Sequence, residues 1–196
     1  MYYELIILGS LLLGPAHGYL IAKIVQNITG PYDKVSSGRL YPLLAKLEAQ
    51  GLIVAEPGAE KEATSQSRRY QLPSRGYRIT DSGRARFHHL MMDTTSYLGD
   101  YKKVFVQKVA HFSFLLPSER RHLVDHYIGY CRTLVSHGMA RVEAITGAVE
   151  NNPDVAVMHL TSEQVGDLLA VMHHTIDQWQ QELRWAEGLR DPNQPV

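Results

Sequence analysis

The chain has 196 residues, 44% of them hydrophobic, with 20 basic and 20 acidic side chains and a formal net charge of +0, the make-up of a folded protein with one large domain or two small ones. No apolar run reaches the roughly 20 residues of a membrane span; the longest, Leu5–Leu13, is broken by Gly9 and Ser10. Cys131 is the only cysteine, which excludes an intramolecular disulfide, and the start Met1-Tyr2-Tyr3-Glu4 lacks the basic region of a signal peptide, so the expected location is cytoplasmic.

In chain order, Leu5–Leu13 is apolar nearly all round and predicts a helix buried against several neighbours, ended by Gly14-Pro15. A second helix is expected from about Gly18 to Ile28, with Leu20, Ile21, Ile24, Val25 and Ile28 at helical spacing, and Thr29-Gly30-Pro31 stops it. Ser36 and Ser37 are candidate N-caps for a third helix that reaches about Gln50, with Gly51 as its C-terminal glycine. Leu52-Ile53-Val54 is too short for a helix and reads as a strand. A second strand follows at Arg69–Leu72 or around Tyr77-Arg78-Ile79, after the polar loop from Glu56 to Ser67. Three helices and two strands joined by a long loop make a winged helix. Thr80-Asp81-Ser82-Gly83 then caps a fourth helix.

From Arg84 onward the pattern is helical. Met91, Leu98, Phe105 and Phe112 recur every seven residues, with Gly99 as a break, and Pro117-Ser118-Glu119 opens a helix carrying Leu123, Tyr127, Tyr130 and Leu134 towards Val149. Cys131 sits in this core-like pattern. After a turn at Asn151-Asn152-Pro153, Thr161-Ser162-Glu163 opens the last helix. There Val165, Leu169, Met172, Ile176, Trp179, Leu183 and Ala186 alternate steps of four and three, a heptad seam. Such a seam suits dimerisation; the competing reading packs it inside its own subunit. The fold class is mainly α with a small β wing, a winged helix-turn-helix plus a helical, coiled-coil-like dimerisation domain. The expected division is 1–87, 88–190 and a tail over 191–196.

Charge is distributed unevenly: residues 1–90 carry eleven basic against seven acidic side chains. A basic head on an acidic body suits a polyanion bound through the head. The third helix carries the sharpest signal. With Leu40, Leu43, Leu44 and Leu47 turned inward, its opposite face is Gly38, Pro42, Ala45 and Ala49, bordered by Arg39, Tyr41 and Lys46. Small centres with cationic borders allow close approach to a groove, whereas an ordinary solvated face carries Glu and Lys. Ser36, Ser37 and the N–H groups after them can meet a phosphate. Lys61 in the wing loop and Arg68-Arg69 at its return suit phosphate or minor-groove contact. Pro42 predicts an irregularity near Gly38.

Taken together, Leu8-Gly9, Leu11-Leu12 and Gly14-Pro15-Ala16-His17-Gly18-Tyr19, then Ser37-Gly38-Arg39-Leu40-Tyr41-Pro42, Leu47-Glu48-Ala49-Gln50-Gly51-Leu52-Ile53, Arg68-Arg69-Tyr70 and Tyr77-Arg78-Ile79-Thr80-Asp81-Ser82-Gly83 resemble the motifs of the PadR family of transcription regulators over about residues 4–87. Gln71–Gly76 separates two segments that the family runs together, so Tyr70 and Tyr77 both stand as the start of the second wing strand. The resemblance implies a homodimer that binds an inverted-repeat operator in double-stranded DNA, usually as a repressor. It implies that Tyr41 contacts the DNA backbone, that Ser37, Gly38 and Arg39 face the groove, and that His17, Gly18 and Tyr19 bring the second helix near a phosphate. The layout after residue 87 is similar to the longer members, whose last helices interlock across the dimer.

Members of that family respond to small aromatic compounds, phenolic acids among them. Tyr97, Tyr101, His126, Tyr127, Tyr130 and Trp179 are the candidates for such an effector, and core packing is the competing role for each. No cofactor and no metal are expected: His88-His89 and His173-His174 diverge on a helix, and His122 with His126 lacks a third ligand. Without a phosphate loop or nucleophile motif, an enzyme is the remotest reading. A winged helix that binds protein is the nearer alternative.

Overall fold

The structure, a computed structural model, describes residues 2–30, 37–56, 75–96, 98–151 and 161–190. The chain forms two compact units, Met1–Leu115 and Leu116–Val196.

The first unit is built on α1 (Tyr2–Leu12), in which every residue from Leu5 to Leu11 is buried. Ser10 satisfies its hydroxyl by donating to the Ile7 carbonyl at 2.8 Å. Gly9 is needed for space: a Cβ there would lie 2.3 Å from His111 Nε2, so the His111 ring rests on the α1 backbone. A two-residue strand, β1 (Ala16–His17), follows and leads into α2 (Gly18–Thr29). β1 lies outside the sequence expectation, because two residues are too few for an alternation to register. In α2 the buried apolar positions are Ile21 and Val25, while Leu20 and Ile28 are exposed, so its inward stripe is narrower than its sequence suggests.

α3 (Ser37–Ala49) runs unbroken through Pro42, and the irregularity expected near Gly38 does not interrupt it. Pro42 has no N–H to offer the carbonyl four residues back, which is that of Gly38. Gly51, at φ 69°, ends the helix: its N–H bonds to the Glu48 carbonyl at 2.9 Å and Leu52 N–H to the Leu47 carbonyl at 3.0 Å, the paired bonds of a Schellman motif.

β2 (Ile53–Glu56) and β3 (Gly76–Ile79) pair antiparallel with Ala55 opposite Tyr77, and β1 joins the other edge of β3 with Ala16 opposite Tyr77, giving the order β1-β3-β2. The strand carrying Tyr77 is therefore part of the wing; Tyr70 lies outside the described residues. Thr80 closes this hairpin onto α4 (Asp81–Met92). Its hydroxyl donates to the Gly51 carbonyl at 2.6 Å and accepts from Gly83 N–H at 3.0 Å, the expected N-cap. α4 packs on α1, and the Arg86 guanidinium meets the Glu4 carboxylate at 2.8 and 3.4 Å.

The heptad-like spacing of Met91, Leu98, Phe105 and Phe112 does not make one helix. Asp93 caps a turn by accepting from Thr95 and Ser96 N–H at 2.9 and 3.1 Å, and the Ser96 hydroxyl, together with these bonds, holds its carboxyl well below the usual carboxylate range. A 3-10 turn (Leu98–Asp100), α5 (Tyr101–Val109) and a second 3-10 turn (Phe112–Phe114) complete the unit. Lys108 is fully buried. Its ammonium donates to the Asp93 carbonyl and lies 5.7 Å from the centre of the Tyr101 ring.

The second unit is a pair of long helices, α6 (Pro117–Asn151) and α7 (Ser162–Arg190). Pro117 takes the first helical position, and Glu119 reaches back to Leu116 N–H at 2.8 Å. Thr161 and Gln164 exchange reciprocal bonds at 2.8 and 3.3 Å to start α7, a capping box. Between the helices the Tyr130 and Trp179 ring centres are 5.7 Å apart and those of Tyr127 and Trp185 6.4 Å. Ile176 sits against Gly138, where a Cβ would come within 2.7 Å of it. Arg132–Glu187 and Arg190–Asp125 ion pairs, at 2.8 and 3.0 Å, flank the contact. Cys131 is buried here.

Candidate nucleic-acid interface

α3 divides as its sequence pattern requires. Leu40, Leu44 and Leu47 are at most 1% exposed, whereas Gly38, Arg39, Pro42, Ala45, Lys46 and Ala49 are exposed. The outward face is thus small at its centre and cationic at its borders, with no acidic residue among those six. Arg39 holds its guanidinium 5.9 Å from the centre of the Tyr3 ring of α1, a cation–π contact that orients it without neutralising it. Lys46 lies in the last turn, where a cation complements the carbonyl end of the helix.

His17, Gly18 and Tyr41 are brought together. A Cβ on Gly18 would lie 3.1 Å from Tyr41 Cε1 and 3.7 Å from Tyr77 Cε2, so glycine lets both rings reach the start of α2. Gly18 N–H donates to the Arg75 carbonyl at 3.2 Å. His17, at the N-cap of α2, supplies no side-chain cap, and its buried Nδ1 has no hydrogen-bond partner. Tyr19 is exposed beside it. The N–H groups of that first turn form a site with positive character. Burial pushes the Tyr41 and Tyr77 phenols above the ordinary tyrosine value, so both remain protonated near neutral pH and able to donate.

Arg75 and Tyr77 are neighbours that sequence reasoning did not select. Arg75 pairs with Glu48 at 2.9 Å and lies 6.0 Å from the centre of the Tyr77 ring, which ties the end of the wing to α3. The signal for them was the Gln71–Gly76 segment, which places Arg75 and Gly76 just before the Tyr77 strand. Among the remaining expected DNA contacts, Ser36, Lys61, Arg68 and Arg69 lie outside the described residues, and Ser37 is described only as the first residue of α3.

Of the dimerisation candidates, Val165 and Ile176 are buried, and Leu169, Met172, Trp179 and Leu183 are half-buried. A groove of about 310 Å³ on this unit is lined by Leu134, Leu168, Val171, Met172 and Trp179, among others, and Val171 is 63% exposed. The effector candidates divide between the units. Tyr101 is buried in the first, and Tyr97 lies outside the described residues. In the second, Tyr127 is fully buried and donates its hydroxyl to Glu182 at 2.9 Å, while Tyr130, His126 and Trp179 are half-buried. Burial and that bond raise the Tyr127 phenol far above its usual value. Among the described residues no group of three metal-ligating side chains gathers, and no helix is long and apolar enough to cross a membrane.

Residues 7–89 match the model of the transcriptional regulator PadR-like family. A comparison with curated proteins finds no match. Among solved structures, Bacillus subtilis PadR in complex with operator DNA is 21% identical, with 95% of each chain covered and a TM-score of 0.40. The same protein in complex with p-coumaric acid gives 20%, 97% of each chain and 0.39. A PadR-like transcriptional regulator from Bacillus cereus gives 16%, with 95% of this chain and 98% of that chain covered and a TM-score of 0.35.

Proposed function

We propose that this chain, whose residues 7–89 match the model of the transcriptional regulator PadR-like family, is a transcriptional regulator and not an enzyme, and that it represses transcription from the cytoplasm by binding an inverted-repeat operator as a homodimer. The observation that carries the reading is the outward face of α3, whose small centre and cationic borders suit insertion into a major groove. Gly38, Arg39, Pro42 and Lys46 meet the groove and its edges. His17, Gly18, Tyr19 and Tyr41 receive a phosphate at the uncapped start of α2. Ser36 and Ser37 add backbone contacts at the head of α3, and Lys61, Arg68 and Arg69 add those of the wing.

In this reading residues 1–87 bind DNA, residues 88–190 dimerise and residues 191–196 are a tail. The apolar groove along α6 and α7 supports self-association, with Leu169, Met172, Trp179 and Leu183 at or beside it and Val165 and Ile176 bracing it from within. An aromatic effector, phenolic acids being the first class to try, releases the operator by binding near His126, Tyr130 and Trp179. Tyr127 supports that wall as core, and Tyr97 and Tyr101 are the corresponding candidates in the first unit. A ligand shifts DNA affinity only by binding the free and DNA-bound shapes unequally.

The test is an unbiased duplex selection with the purified chain, followed by titration at several salt concentrations. A two-fold related motif and an affinity that falls steeply with salt are expected. A selection that enriches no duplex at low salt, while the chain captures a protein partner, overturns the reading.

A further inference from the structure

α1 is core from Leu5 to Leu11, yet its first turn carries two half-buried tyrosines that no role described so far uses. The Tyr2 and Tyr3 ring centres lie 5.5 Å apart at an interplanar angle of 63°. A cation stands over each ring. Lys103 Nζ of α5 lies 4.6 Å from the centre of Tyr2, and the Arg39 guanidinium of α3 lies 5.9 Å from the centre of Tyr3. Both distances are within the reach of a cation–π attraction. Tyr3 also lines a cleft with Leu43, Lys46 and Leu47, so its ring stands beside the edge of α3 that carries Arg39 and Lys46.

The kind of partner decides what Arg39 is able to do. A carboxylate would orient the guanidinium by accepting its N–H groups and cancelling its charge. A ring face attracts the cation without cancelling it and leaves the donor fork open. Glu4, the carboxylate next to Tyr3 in the chain, is committed to Arg86 at 2.8 and 3.4 Å. Arg39 makes no ion pair among the described residues. An arginine free to sample its rotamers loses affinity when a ligand orders it, and one ordered beforehand avoids that cost.

We propose that Tyr3 is a positioning residue for DNA recognition, holding the Arg39 guanidinium at the edge of the outward face of α3, ready to donate to a base edge in the major groove. Tyr2, under Lys103, braces that ring. The role rests on the reading that α3 meets DNA, and Tyr3 acts only through Arg39.

The test uses the full chain. Without DNA, proton NMR should show the Arg39 δ protons displaced upfield by the ring. Tyr3→Leu removes the displacement, and Tyr3→Phe, which keeps the π face, retains it. On the duplex that the chain selects, Tyr3→Leu should weaken binding about threefold, the scale of an exposed cation–π contact, and Tyr3→Phe should match the wild type. The loss should fall on the selected duplex and not on an unrelated one of equal length, because phosphate contacts carry no sequence information. In an Arg39→Ala background Tyr3→Leu should change nothing, which separates positioning from a general loosening of α1. Tyr3→Phe as weak as Tyr3→Leu, equal weakening on both duplexes, or an undiminished Tyr3→Leu effect without Arg39 overturns the proposal and leaves the DNA reading standing. A chain that shows the ring-induced displacement and binds no duplex refutes that reading, and this role with it.

Discussion

Lys108 offers the sharpest quantitative test of the first unit. Its ammonium is fully buried, held by one backbone carbonyl, that of Asp93, and the face of Tyr101. Burial lowers its pKa from 10.5 to about 8, against an opposing pull from the Asp93 carboxylate. At 1.36 kcal/mol per pH unit, the charged form costs the folded state about 3 kcal/mol relative to a solvated lysine. Lys108→Met keeps the length of the side chain and removes the charge, so the variant should gain about 2–3 kcal/mol at pH 7. The folded pKa lies below the unfolded one. The penalty is therefore complete below pH 8 and is relieved as pH rises towards 10.5, because over that interval the unfolded chain still binds the proton and the folded chain does not. Wild-type stability should climb relative to the variant between pH 8 and 10. Urea titrations followed by far-ultraviolet circular dichroism and tyrosine fluorescence measure it. Trp179 and Trp185 both lie in α7, so tryptophan fluorescence reports the second unit and serves as an internal control. Parallel wild-type and Lys108→Met curves from pH 7 to 10 would refute the buried ammonium.

Three further outcomes are expected. Gly83→Ala puts a Cβ 2.0 Å from the Leu52 carbonyl oxygen and 2.7 Å from Ile79 Cγ1; with backbone in the way, it should cost about 3 kcal/mol in a urea melt. Ala45→Glu, at an exposed centre of α3, should leave circular dichroism unchanged and lower duplex affinity tenfold or more in a fluorescence-anisotropy titration, because a like charge faces phosphate at close range; an unchanged affinity would move the DNA surface off this helix. Val171→Lys, at a 63% exposed position of the helical groove, should turn a dimer into a folded monomer by light scattering, with thermal stability of the unit within about 0.5 kcal/mol of the wild type.

Much of the fold was legible in the residue order because its signals are local. Gly51 and the Leu40–Leu44–Leu47 spacing specify where α3 ends and which face it buries, since a left-handed C-terminal turn and a 3.6-residue period are properties of neighbouring residues. Thr80, three residues before Gly83, specifies the start of α4 for the same reason. The candidate interface on α3 was legible too: once the leucines turn inward, Gly38, Arg39, Pro42, Ala45 and Lys46 have nowhere else to face. Other features required the chain to fold back on itself. β1 exists only because Tyr77 and Gly76 offer a free edge to Ala16 and His17. Tyr41 reaches the start of α2 only because Gly18 has no Cβ in its path. Gly99 signalled a break within the seven-residue recurrence from Met91 to Phe112, but only the fold shows that the helix already stops at Met92, where Asp93 and a buried Lys108 turn the chain. In α7, a heptad seam by itself cannot name its partner. Gly138 opens a space that Ile176 enters from α7, and Trp179, one turn on, meets Tyr130 of α6. Periodicity identifies the face a helix must bury, and only three-dimensional packing identifies what covers it.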